Sequence, residues 1–370
     1  MLTFTDKSQC CGCTACVSIC PKQCIQMIED KEGFFYPQIN YSVCVDCGLC
    51  EKVCPVLHPV QAKERPAVFA AVNNNLEVRM QSSSGGIFTL LAEQTIKKGG
   101  VVFGACFDKE WNVIHRYTET LEGLSVFRGS KYVQSDMGTS FQDAKHFLDQ
   151  GKNVLFSGTS CQIAGLKKFL RKSYDTLITV EVVCHGVPSP KAWKSYLFGK
   201  RNLRSINFRS KTEGWKKFRL ELTYADGRVE RAPLENDFYM KAFLSNLSLR
   251  PSCYTCATKI KNSQSDIMIA DYWGIDQVQP EIDDDKGCSL VIVNNSEVLP
   301  LLYRLDCQLY QQNFDSAIKY NRAIVESFHQ PVNRNFFFTL LRRYSFSTAY
   351  RMATTNNIIC RLVRTLYRKL

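Results

Sequence analysis

No stretch of the 370-residue sequence approaches the roughly 18 to 20 uninterrupted apolar residues that a bilayer-spanning helix needs, so none is expected. The start, Met1 to Lys7, also lacks the apolar core and cleavage site of an export signal. The expected location is the cytoplasm, at most peripheral to the inner membrane face, where the 18 cysteines stay reduced. The GxGxxG and Walker A patterns are missing, as is the CxxxCxxC radical motif, which removes the usual Rossmann and radical-enzyme readings. Acidic residues are missing from Arg334 onward, whereas Arg334, Arg342, Arg343, Arg351, Arg361, Arg364, Arg368 and Lys369 carry part of the +12 net charge. Such a tail could dock on a membrane surface or an acidic protein. Alternatively, two C-terminal helices pack Phe336, Phe337, Phe338, Leu340 and Leu341 inward and leave the arginines in water. No nucleic-acid reading module accompanies the basic residues, so nucleic acid is not an expected partner.

What the sequence does contain is one cysteine pattern twice over. Cys10, Cys13, Cys16 and Cys20-Pro21, then Cys44, Cys47, Cys50 and Cys54-Pro55, each read CxxCxxCxxxCP, the bacterial spacing for a 4Fe-4S cluster. Three thiolates two residues apart wrap one cubane, while the cysteine before proline is carried away by the chain and serves the other cluster. Cys10, Cys13, Cys16 and Cys54 are therefore expected to hold one cluster, and Cys44, Cys47, Cys50 and Cys20 the second. Zinc knuckles or a disulfide scaffold fit this tandem spacing poorly. Cys11 and Cys24 fall outside the pattern and receive no role.

The chain is too long for a ferredoxin alone, so a further domain with its own core must follow. Residues 56–66, with Pro59 and Pro66, read as a linker. An α/β alternation comes next: strands at 67–72, 101–107, 154–156 and 177–183, with helices after Ser84-Gly85-Gly86 and Gly158-Thr159-Ser160-Cys161. From about Leu203 the period falls to two, with a hairpin turn at Ala225-Asp226-Gly227. A second, β-rich lobe is expected there, including a strand at 289–293. The fold class is thus α+β and α/β: a small ferredoxin-like domain with two 4Fe-4S clusters, then a mixed α/β domain, a β-rich second lobe and C-terminal helices.

Four more cysteines sit at ends of expected elements: Cys161, Cys184, Cys253 and Cys256. Two loops and one CxxC could supply a third 4Fe-4S cluster. The same residues could instead give a redox dithiol at Cys253 and Cys256 with His185 as acid/base, or a structural zinc site. Ser84, Gly85 and Gly86 open a helix whose free amides suit a phosphate, and the loop Gly129 to Ser135 offers Lys131, Tyr132 and Gln134 to a flavin. His185 is a candidate for proton delivery. Asp271, Tyr272 and Trp273 either wall a substrate pocket or form a turn with an aromatic core plug.

Ser84-Gly85-Gly86, GSKYVQS, GTSCQIAGL, the Cys253/Cys256 pair, Asp271-Tyr272-Trp273-Gly274 and the run from Asp284 to Val291 resemble, in that order, the family of coenzyme F420 hydrogenase/dehydrogenase beta subunits. The resemblance implies FAD near Ser84, Gly85, Gly86, Lys131, Tyr132 and Gln134, and a cluster or redox thiols at Cys161, Cys184, Cys253 and Cys256. It also implies the boundaries: ferredoxin-type domain 1–58, the N-terminal-type α/β domain of such beta subunits 66–200, their C-terminal-type domain 201–310 and a basic helical tail 311–370. Relatives tied to surface-polysaccharide synthesis make the substrate a small molecule or glycan precursor. Clusters pass single electrons and a flavin pairs them, so a ferredoxin or similar donor is expected to feed FAD through the clusters for reduction of an organic substrate. The alternatives are an electron-transfer subunit of a partner enzyme and a flavin-dependent disulfide reductase using Cys253 and Cys256.

Overall fold

The computed structural model of the protein describes residues 6–61, 67–259 and 262–355. Residues 62–66 of the expected linker, Cys360, and the basic residues Arg361, Arg364, Arg368 and Lys369 lie outside them. The strands in chain order are β1 Ile25–Glu29, β2 Phe35–Ile39, β3 Ala67–Asn73, β4 Val101–Phe107, β5 Val113–Thr118, β6 Val154–Gly158, β7 Leu177–Val182, β8 Leu203–Ser210, β9 Arg219–Tyr224, β10 Val229–Ala232, β11 Ile267–Asp271, β12 Ser289–Val293 and β13 Cys307–Gln311.

An eight-stranded sheet in the order β13-β3-β12-β11-β7-β6-β4-β5 forms the centre. Its β4, β6, β7 and β11 run parallel, with antiparallel strands on either side. The apolar runs become inner strands because both faces are covered: β6 and β12 are buried throughout. Along β3, Phe69 and Ala71 pack on one face with Ile87 and Leu91 of the helix Ile87–Lys97, whereas Val68, Ala70 and Val72 pack on the other with Trp215 and Tyr272. Asp266 accepts bonds from the backbone N–H and hydroxyl of Thr179, which pins β11 beside β7.

A separate three-stranded antiparallel sheet, β10-β9-β8, turns at Asp226 and Gly227 as the alternation predicts. The strand 289–293 is corrected: it belongs not to this lobe but to the large sheet, between β11 and β3. Its five buried residues require two covered faces, which the small sheet does not provide.

The ferredoxin-type region has a β1–β2 hairpin and two short helices, Ala15–Ile19 and Leu49–Lys52. It is packed against the rest of the chain rather than tethered by a linker alone. Phe34 is fully buried, its ring 6.2 Å from that of Phe338 in the helix Arg334–Leu341. That helix and the helix Phe346–Thr354 bury Phe336, Phe337, Phe338, Leu340, Leu341 and Phe346, so the core-packing reading of the C-terminal segment holds for the described residues. Arg334 itself is corrected from a tail residue to a buried one, 2% exposed, whereas Arg342, Arg343 and Arg351 face solvent.

Candidate functional site

The two CxxCxxC runs fold alike. Gly12 and Thr14 in the first, and Asp46 and Gly48 at the same positions in the second, all adopt left-handed φ values of 72°, 66°, 51° and 68°. Successive left-handed turns point backbone N–H groups inward, the arrangement that receives an anionic centre. Cys10 and Cys13 of the first run and Cys54 of the second are buried. Burial, reinforced by the neighbouring Cys10 and Cys54, pushes the Cys16 thiol up to about 12. Cys20, Cys44, Cys47 and Cys50 line a second hollow with Ile25 and Ile39. Cys54 of the second run thus lies near Cys10 and Cys16, and Cys20 of the first run lies with Cys44, Cys47 and Cys50. Cys24 joins the second group, its sulfur 3.4 Å from that of Cys20.

The second cysteine set sits where two adjacent parallel strands end. β6 leads through Thr159 to Cys161 in the first turn of the helix Ser160–Leu170, and neighbouring β7 leads to Cys184. Strand ends of a parallel sheet are the usual place for a ligand. The short turn Pro251–Thr255 brings Cys253, with Cys256 immediately after it. Thr159 N–H bonds to Gln162 Oε1 at 2.9 Å and fixes the loop, leaving Thr159 Oγ1 3.3 Å from the Cys161 sulfur. Val187 N–H donates to the Cys253 sulfur at 3.4 Å. All four cysteines line one cavity of about 50 Å³, larger than the ~10–15 Å³ that one water requires.

Cys11, which has no role in the spacing pattern, lines the same cavity. Its thiol meets both Cys13 of the first run and Cys161. The Cys13 contact and burial raise Cys11 well above the usual thiol range against the Cys161 contact, which pulls it down, and the Cys11 contact with burial raises Cys161 likewise. The signal available in the sequence is the doubled Cys10-Cys11, but nothing local says where the second thiol points. Burial raises Cys184 and Cys256 as well and pushes Cys253 up to about 12. A nucleophilic dithiol needs the opposite environment. Among the described residues no group of three His, Cys, Asp or Glu side chains gathers tightly enough for a single metal ion. The same holds for the eight N-terminal cysteines.

His185 lines the cavity but is engaged elsewhere. Its Nε2 lies 2.6 Å from Asn246 Oδ1, its ring stacks on Phe328 at 4.0 Å, and burial lowers its pKa to about 4. It is neutral at pH 7 and donates its proton to Asn246. The floor beside it holds Glu181, which accepts bonds from Ser263 and Ser265 and whose carboxyl is pushed up to about 7 by burial. Sequence reading misses Glu181 because it hides in the apolar run of β7.

The residues expected around a flavin fall into two places. Ser83 and Ser130 join the two loops, their hydroxyls 2.9 Å apart. The ammonium of Lys211 donates to the Ser84 carbonyl, and Arg209 donates to the Ser83 carbonyl and the Tyr132 hydroxyl. Arg209 also forms a two-pronged pair with Asp271 at 2.9 and 2.8 Å, yet its Nε is buried without a partner. Gly86 caps the helix Ile87–Lys97 without a side-chain bond. An orphaned guanidinium N–H, a helix start without a side-chain cap bond and two serines fit an anionic pyrophosphate. Gly85 is less available: a Cβ there would meet the Ala71 carbonyl at 2.3 Å, so this glycine serves close packing on the sheet. Lys131 donates to the carbonyls of Val126 and Arg128, and Tyr132 stacks on Phe243 at 4.6 Å. Gln134 stands apart, bonded to the Cys11 carbonyl and to Arg250 against the ferredoxin-type region. Of the Asp271-Tyr272-Trp273 readings, the aromatic plug fits: Tyr272 is fully buried and Trp273 stacks on Trp215 at 4.8 Å.

Residues 9–57 match the family described as 4Fe-4S dicluster domain, and residues 151–308 match the family described as the C terminus of the coenzyme F420 hydrogenase/dehydrogenase beta subunit. The pyruvate synthase protein PorD of Methanothermobacter marburgensis is 42% identical over 53 residues, 14% of this chain, and the match spans only 56% of that protein. The F subunit of the F(420)H(2) dehydrogenase of Methanosarcina mazei is 21% identical over 243 residues, 61% of this chain and 67% of that protein. Among solved structures, a chain of the F420-reducing [NiFe] hydrogenase complex from Methanosarcina barkeri superposes with a TM-score of 0.47 at 19% identity, covering 68% of this chain and 83% of that one.

Proposed function

From a chain whose residues 151–308 match the C terminus of the coenzyme F420 hydrogenase/dehydrogenase beta subunit and whose residues 9–57 match a 4Fe-4S dicluster domain, we propose an iron-sulfur flavoprotein oxidoreductase. The bound groups would supply the chemistry: clusters exchange single electrons and FAD combines two of them for an organic substrate. Cys161, Cys184, Cys253 and Cys256 would hold a third 4Fe-4S cluster, oriented by the Val187 N–H and the start of the helix Ser160–Leu170. Ser83, Ser84, Ser130, Arg209 and Lys211 would receive the flavin's pyrophosphate.

The observation that carries this reading is the position of Cys11. It makes the dicluster region and the inner four-cysteine cavity contiguous, which a detachable inlet would not need. A ferredoxin-like protein is the expected donor, and a small molecule or glycan precursor the expected acceptor. Cofactor analysis of anaerobically purified protein, followed by addition of reduced ferredoxin, tests the proposal. Bound FAD that bleaches supports it; protein without flavin leaves an electron-transfer role within a larger enzyme as the better reading.

A further inference from the structure

Among the described residues four arginines are buried: Arg79, Arg209, Arg250 and Arg334. Three face a carboxylate, namely Asp284, Asp271 and Glu32 respectively. Arg250, fully buried, is the exception. Its guanidinium donates to the Cys10 carbonyl at 2.8 Å, the Phe35 carbonyl at 2.9 Å, Gln134 Oε1 at 3.0 Å and the Cys10 sulfur at 3.6 Å. It also lies over the Tyr36 ring at 4.3 Å. Every oxygen it reaches is neutral, and among the described residues no carboxylate pairs with it.

A guanidinium does not shed its proton when buried, and a buried charge without a counter-charge is strongly destabilising. The one acceptor able to become negative is the Cys10 sulfur. The approach is built in on both sides. Gly12 is left-handed, and a Cβ on it would meet Arg250 Nη1 at 2.9 Å and Gln134 Nε2 at 2.7 Å. At the equivalent position the second run carries Asp46, next to the exposed Cys47, and the Cys44 sulfur accepts the Asp46 N–H at 3.4 Å. One cysteine group therefore meets a fully buried cation where its twin carries the exposed Asp46 and opens toward solvent.

We propose that Arg250 is the counter-ion of the cluster held by Cys10, Cys13, Cys16 and Cys54, and holds its reduction potential above the value burial alone would give it. This positioning role rests on the 4Fe-4S assignment to those cysteines. Reduction adds one electron to that centre from a one-electron carrier protein, with no bond made or broken, and the added negative charge is what Arg250 offsets. Net charge and hydrogen bonds to sulfur are recognised determinants of such potentials. The turn following Arg250 leads directly to Cys253, so the same residue couples the outer and inner cysteine groups in space.

The test is an anaerobic redox titration of the full chain with dithionite, following each cluster by electron paramagnetic resonance. Arg250→Gln is expected to lower one cluster's midpoint by at least a tenfold change in the reduction equilibrium, about 59 mV for a one-electron couple. The second cluster's midpoint and the iron content should not change, and Arg250→Lys should recover part of the shift. Should Arg250→Gln lose iron, Gln134→Glu decides, because it sets a carboxylate on the intact guanidinium and must lower the same midpoint. Unchanged midpoints in iron-replete variants would overturn the proposal. Wild-type protein without two 4Fe-4S signals would instead overturn the cluster assignment beneath it.

Discussion

Arg334 grips Glu32 through two hydrogen bonds, at 2.9 and 2.6 Å, and so locks a C-terminal helix onto the hairpin of the dicluster region. The guanidinium also donates to the Leu249 carbonyl, immediately before Arg250. Replacing Arg334 with Met leaves a half-buried carboxylate unpaired and should destabilise the protein by about 3 kcal/mol. Urea unfolding with the clusters intact measures this, and replacing Glu32 with Gln as well should recover part of the loss.

Gly165 offers a prediction whose sign opposes the usual rule. Alanine inside a helix ordinarily stabilises by about 1 kcal/mol relative to glycine. Here a Cβ would lie 2.9 Å from both Cβ and Sγ of Cys13, because the helix that carries Cys161 leans directly on the first cysteine run. Gly165→Ala should therefore lower stability by about 1–3 kcal/mol. It should also perturb the spectrum of one cluster while sparing the one near Cys44, Cys47 and Cys50.

Cys54 sits with Cys10 and Cys16, whereas Cys20 sits with Cys44, Cys47 and Cys50. Cys54→Ser should damage the cluster of the first run, and Cys20→Ser that of the second. Electron paramagnetic resonance of the two variants distinguishes this from ligation within each run, which gives the opposite pairing.

His115 governs a pH window. Its ring is sandwiched in a network, Nε2 donating to the Ser157 carbonyl at 3.1 Å and Nδ1 accepting from Ser135 at 2.9 Å, and burial lowers its pKa from 6.5 to about 4. Between those values the unfolded chain takes up the proton first, so stability is full above pH 6.5 and falls as the pH drops toward 4. The contribution is about 3 kcal/mol. His115→Gln should flatten that part of the stability profile measured by denaturant titration.

The paired cysteine runs and the continuous apolar strands are legible in the sequence because spacing and period are local properties. β12 looks like a strand from its composition, but only long-range pairing places it between β11 and β3 rather than in the small sheet. Cys11 is silent in the pattern because its meaning depends on Cys161 arriving from 150 positions away, over the gap left by Gly165. Arg250 is silent for a related reason: an arginine becomes informative only once it is known to be buried beyond reach of a carboxylate. His185 shows the converse, since its place beside Cys184 suggests proton delivery while in the fold its Nε2–H is bonded to Asn246 and burial lowers its pKa to about 4.

Iron per chain reads out whether the inner cavity holds a third cluster. Anaerobically purified protein should contain about twelve irons and matching sulfide, corresponding to three 4Fe-4S clusters. Replacing Cys161 and Cys184 together by Ser should lower that to about eight while leaving both dicluster signals in place. About eight irons in the unaltered protein, with Cys253 and Cys256 titrating as a free dithiol, would contradict a cluster at the inner site.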